Sequence, residues 1–143
     1  MPRPKQLFIS HANADRKFLE RLSELLADYH IRFWHSRKDI RGAQQWHDEI
    51  GAALRKCDWF LLVLSPSVFK SKWVKRELAF ALRENRYNDR IVPIIARRCD
   101  FGELSWTLPA FEVVDFSRNF AKGSEELLRI WNIPYRGRPR KPR

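Results

Sequence analysis

The chain has 143 residues, 44% of them hydrophobic and 13% aromatic, which suits one domain with a full core and excludes wholesale disorder. No apolar run approaches the ~18 residues of a membrane span, and no signal-peptide core opens the chain. Cys57 and Cys99 are too few for a disulfide framework and stand in no metal-ligand spacing, so a reduced, cytoplasmic protein is expected.

In chain order, Leu7-Phe8-Ile9 within Gln6 to Ser10 predicts a short buried strand. Asn13 or Asp15 is placed to cap a helix whose Phe18, Leu22, Leu25 and Leu26 follow the i, i+4, i+7, i+8 pattern of one helical face. Ile31 to Trp34 reads as a second strand. The polar, charged stretch Ser36 to Gly42 reads as a loop, and Trp46, Ile50, Ala53 and Leu54 mark a second helix. Trp59 to Leu64 is unbroken apolar sequence, as in a parallel strand covered on both faces. A helix from Ser71 to Asn85 follows, with Val74, Leu78, Ala81 and Leu82 expected inward.

Ile91 to Ile95 is a fourth strand, and its Pro93 argues for an edge or near-edge position. Arg97 to Pro109 is irregular, with Phe101, Leu104, Trp106 and Leu108 expected to tuck beneath the strand. Glu112 to Phe116 reads as a last strand, and Leu127, Leu128 and Trp131 mark a closing helix. Five strands alternating with helices imply a parallel sheet. The simplest solution is an α/β, flavodoxin-like three-layer fold with strand order 2-1-3-4-5. Its boundaries would be a disordered extension at 1–5, the domain at 6–134 and a basic, Pro/Arg-rich tail at 135–143.

In that topology the carboxyl ends of strands 1, 2 and 3 gather at the point where the strand order reverses, where open α/β sheets bind ligands. They carry Ser10 and His11, Trp34 and His35, and Ser65 with the following helix. Trp73 and Glu77, four residues apart, share one face of that helix. His11 and His35 lack an evident third ligand, so no metal site is expected. A phosphorelay receiver would need acids after strand 1, an aspartate after strand 3 and a lysine after strand 5. Ser10-His11, Ser65-Pro66 and Phe116-Ser117 stand there instead.

These residues carry a family resemblance. Phe8-Ile9-Ser10-His11 resembles the opening of a TIR (Toll/interleukin-1 receptor) domain, and Arg37-Lys38-Asp39-Ile40-Arg41-Gly42 resembles that family's BB loop. Val63-Leu64-Ser65 followed by Ser71-Lys72-Trp73-Val74-Lys75-Arg76-Glu77-Leu78 matches its Ser-x-Trp-x-x-x-Glu-Leu box. The resemblance is greatest to bacterial members and extends from residue 6 to about 132. Val74 departs from it, since cysteine is common there, and Ser36 to Lys38 is basic where many relatives are acidic.

The resemblance implies an NAD+ glycohydrolase that cleaves the nicotinamide–ribose bond, active on self-association, in bacterial defence or signalling. NAD+ is then the substrate, and no cofactor is required. Glu77 matches the catalytic glutamate. Ser10, His11 and Trp73, with Asp39, Arg41, Gly42 and Trp46 in or after the covering loop, match substrate-contacting positions. One carboxylate suffices chemically: nicotinamide leaves a cationic pyridinium as a neutral base, so the second acid that glycosidases use on an ether oxygen is dispensable.

The alternative is a non-catalytic TIR interaction module that pairs with other TIR domains, in which Glu77 is a structural acid. A nucleoside deoxyribosyltransferase-like enzyme would instead prefer nucleosides to NAD+. The net charge of +11 comes mainly from Arg3, Lys5, Arg136, Arg138, Arg140, Lys141 and Arg143, leaving +4 for residues 6–135. A weak contact between the basic tail and nucleic acid or another anionic surface is the most that this charge supports.

Overall fold

The computed structural model describes residues 3–35 and 43–137, the side chains of residues 43–46 excepted. Nine strands and α-helices follow one another among the described residues: β1 (Leu7–Ser10), α1 (Arg16–Asp28), β2 (Phe33–His35), α2 (Ala43–Lys56), β3 (Trp59–Leu64), α3 (Lys72–Arg83), β4 (Ile91–Ile95), β5 (Val114–Asp115) and α4 (Phe120–Ile130), with only short 3-10 turns between β4 and β5. The strands form one parallel sheet in the order β2-β1-β3-β4-β5. This is the flavodoxin-like arrangement expected from the pattern of elements.

Strand residues alternate between two cores. Leu7, Ile9, Leu61 and Val63 meet Leu19, Leu22, Leu25 and Leu26 of α1 and Leu127 and Leu128 of α4. Phe8, Phe60, Leu62 and Leu64 meet Ile50, Ala53 and Leu54 of α2 and Val74, Leu78 and Ala81 of α3. With both faces covered, all six residues of β3 are buried, which explains its unbroken apolar sequence.

Pro93 is accommodated by parity. Ala96 N–H donates toward β3, to Leu64 O, whereas Ile95 O accepts from Phe116 N on the β5 side. Pro93 shares the side of Ile95, and β5 pairs only with Ile94 and Ile95. The absent proline N–H therefore breaks no bond to β3, and β4 lies second from the sheet edge.

Several local expectations are corrected. Asp15 does not cap α1: its side chain makes no cap bond and turns to β3. Leu82 is 37% exposed and Trp106 is 87% exposed, so neither is tucked inward, although Leu108 is fully buried. The last strand is two residues long rather than five.

Both termini of the described chain are pinned. Lys5 and Gln6 N–H groups donate to the Asp58 carboxylate at 2.9–3.1 Å, and Arg3 Nη2 reaches Tyr29 O. Of the tail, Arg136 N donates to Tyr29 Oη at 2.9 Å, and residues 138–143 lie outside the described residues. No helix among the described residues is long and apolar enough to cross a membrane.

Candidate active site

The carboxyl edge between β1 and β3 gathers the chemistry. Ser10 ends β1, and α3 begins where the Ser71 hydroxyl accepts from Val74 N at 3.2 Å, an N-cap that sets the helix register. That register lays the second turn of α3 over β1. Ser10 Oγ donates to Glu77 Oε1 at 2.6 Å. Ser10 is wholly buried and Glu77 is 3% exposed. A hydrogen bond contributes on the order of 0.5–1.5 kcal/mol, and this one holds the carboxyl group in one orientation.

Trp73 precedes Glu77 by four residues, just over one helical turn and about 6 Å of rise. It packs partly against the α2/α3 core, and the Arg76 guanidinium lies 5.0 Å from its ring centroid. Its remaining surface lines a crevice of about 700 Å³ with Ala12, Asn13, Ser67, Lys70 and Arg97. Trp73 is thus a core residue and a wall residue at once.

His11 follows Ser10. Its Nδ1 lies 3.0 Å from Ala12 O, its ring meets His35 edge-on at 5.8 Å between centroids, and its buried Nε2 has no partner among the described residues. Burial lowers its pKa below 6.5, the Ala12 carbonyl works against that, and the neighbouring His35 lowers it further. Among the described residues no three His, Cys, Asp or Glu side chains are grouped to hold a metal.

Ser10, His11, Trp73 and Glu77 are therefore brought to one edge. Asp39, Arg41 and Gly42 lie outside the described residues, and Trp46 belongs to α2 with its side chain undescribed.

Sequence reasoning missed a second polar knot beside the crevice. Ser65 Oγ donates to Asp15 Oδ2 at 2.5 Å, and Arg97 Nη2 lies 3.5 Å from Asp15 Oδ1 and 3.1 Å from Ser67 Oγ. One carboxylate, 3% exposed, so ties together the loops after β1, β3 and β4. The available signal was position: in a parallel sheet, residues just after each strand share one edge whatever their local role.

A model of the TIR domain matches residues 7–128. The chain belongs to the TIR domain family. Among curated relatives, this TIR domain is 28% identical over 89 residues to the 2′ cyclic ADP-D-ribose synthase BtTIR of Bacteroides thetaiotaomicron. The match covers 61% of this chain and 31% of that protein, so the chain spans about a third of the relative's length. Among solved structures, the TIR domain of the Toll-related receptor TRR-2 of Hydra magnipapillata superposes with a TM-score of 0.71 at 20% identity, covering 87% of this chain and 96% of that one. The CMP N-glycosidase BcmB of Clostridium botulinum superposes with a TM-score of 0.62 at 14% identity, covering 87% and 99%. At these identities the structural likenesses establish the shared fold.

Proposed function

We propose that this TIR domain is an NAD+ glycohydrolase with Glu77 as its catalytic carboxylate. The observation that carries the reading is the buried Ser10–Glu77 bond at the switch point, one turn from a tryptophan that walls an open crevice. The name of the Bacteroides relative, a synthase of a cyclic ADP-ribose, supports the same substrate.

The bond between ribose C1′ and the pyridinium nitrogen breaks, and its electron pair neutralises that nitrogen as nicotinamide departs. The ribose is left with oxocarbenium character. A carboxylate fixed by Ser10 and largely out of water stabilises that charge more strongly than one in solvent, because it is already oriented and weakly screened. Water, or a nucleophile from the adenosine half, then bonds to C1′ and releases one proton. The products are nicotinamide with ADP-ribose or with a cyclic form.

Ser10, His11 and Trp73 are assigned to the ribose end of the site, with Asp39, Arg41, Gly42 and Trp46 on the covering side. Activity in bacterial defence or signalling, promoted by association of TIR domains, completes the reading.

Nicotinamide release from NAD+ at high protein concentration tests it. Glu77→Gln keeps the shape and removes the charge, so turnover should fall at least a hundredfold while the circular dichroism spectrum and melting temperature stay close to native. Equal release by both proteins would remove Glu77 from the mechanism. The near-complete burial of Glu77 favours a second reading, an interaction module in which this acid only holds α3 against β1. Silence from a folded, self-associated native protein would select it.

A further inference from the structure

The crevice beside Trp73 is not lined by Ser10, His11 or Glu77; it adjoins the proposed ribose end of the site through Trp73. Its described lining includes Arg97, Lys70 and Lys72 but no acid. Lys70 and Lys72 are exposed and act as loose point charges, whereas Arg97 is held in place. Its Nη2 takes both Asp15 and Ser67, and its Nε and Nη1 have no hydrogen-bond partner among the described residues. Asp15 cannot swing away to follow it, because Asp15 is 3% exposed and bonded to the wholly buried Ser65. Burying a carboxylate costs several kcal/mol unless it is paired. Its three-loop setting makes structural sense if the guanidinium it fixes has a task.

A guanidinium with one corner anchored and the rest presented to an open crevice is suited to an oxyanion pair, which it grips through parallel N–H bonds with less loss of rotamer freedom than a lysine incurs. We propose that Arg97, positioned by Asp15 and Ser67, binds the diphosphate of the dinucleotide substrate and so separates NAD+ from nucleosides that lack a diphosphate. The inference rests on the dinucleotide reading of the crevice and adds a specificity residue to it. Lys70 and Lys72 contribute attraction at longer range.

The test is isothermal titration of the whole chain with ADP-ribose and, separately, with nicotinamide riboside, for the native protein, Arg97→Ala and Arg97→Lys. Arg97 has 57% of its side-chain surface exposed, so its removal empties no core. Arg97→Ala should weaken ADP-ribose binding about ten- to a hundredfold, the size of one lost charge-assisted bond pair. Arg97→Lys should recover part of it, and nicotinamide riboside should bind equally to all three.

Unchanged ADP-ribose affinity in Arg97→Ala overturns the proposal. Parallel loss of both ligands, or no ADP-ribose binding by the native chain at millimolar concentration, overturns it as well. NAD+ turnover separates this from the glycohydrolase reading. Arg97-dependent ADP-ribose binding without nicotinamide release keeps the diphosphate site and removes the enzyme. Nicotinamide release with an unchanged KM in Arg97→Ala does the reverse.

Discussion

His11 carries a pH dependence whose sign follows from its surroundings. Burial and the neighbouring His35 and Arg16 depress its pKa, against the Ala12 carbonyl and Asp15. The unfolded chain therefore takes up a proton near 6.5 that the folded chain resists. Stability from this group is complete above 6.5 and is lost as pH falls through the lower folded value. In urea titrations between pH 7.5 and pH 5, the native protein should lose more stability than His11→Gln. Identical slopes would mean that His11 titrates as it does in the unfolded chain. Residue chemistry also explains one error of reading. Trp106 departs from the inward expectation because it lies in a loop with no periodicity to state its direction, and it is 87% exposed.

At the scale of elements, α4 and the end of β5 approach so closely that a side chain is excluded between them. A Cβ on Gly123 would lie 2.6 Å from the Phe116 ring and 3.0 Å from its Cα. The ring has little room to yield, since it also meets Phe18 edge-on at 5.5 Å and Phe120 at 5.1 Å. Gly123→Ala should therefore destabilise the domain by about 1–3 kcal/mol despite its better helix propensity, read as a lower urea midpoint with an unchanged slope. A variant at least as stable as the native chain would show that α4 can slide on the sheet. Helices α1 to α4 were legible because each offers one apolar stripe to one face of the sheet. β5 was not, because a two-residue strand carries no period. Its length is set by where β4 ends and where Phe116 must turn toward Gly123.

At the scale of the whole molecule, the crevice beside Trp73 opens at the carboxyl edge of the sheet, so a role for association in the proposed activity has a direct test. If association with a second TIR domain completes the site, nicotinamide release per chain should rise with protein concentration across the range in which light scattering detects association. Constant specific activity through that range would show that one chain suffices.

Much of this was written in local pattern. Alternating strands and helices, the fully apolar Trp59–Leu64 and the four-residue spacing of Trp73 and Glu77 determined the parallel α/β fold and the helix that bears the acid, because periodicity and burial are properties of short segments. Which partners meet was decided only by tertiary structure. Ser10 and Glu77 are 67 positions apart and Ser65 and Asp15 are 50 apart, and Asp15 read as an ordinary helix cap. The alternation of elements implies the strand order, but hydrogen bonds between such distant residues also depend on the pitch at which α3 crosses β1, which no local pattern encodes.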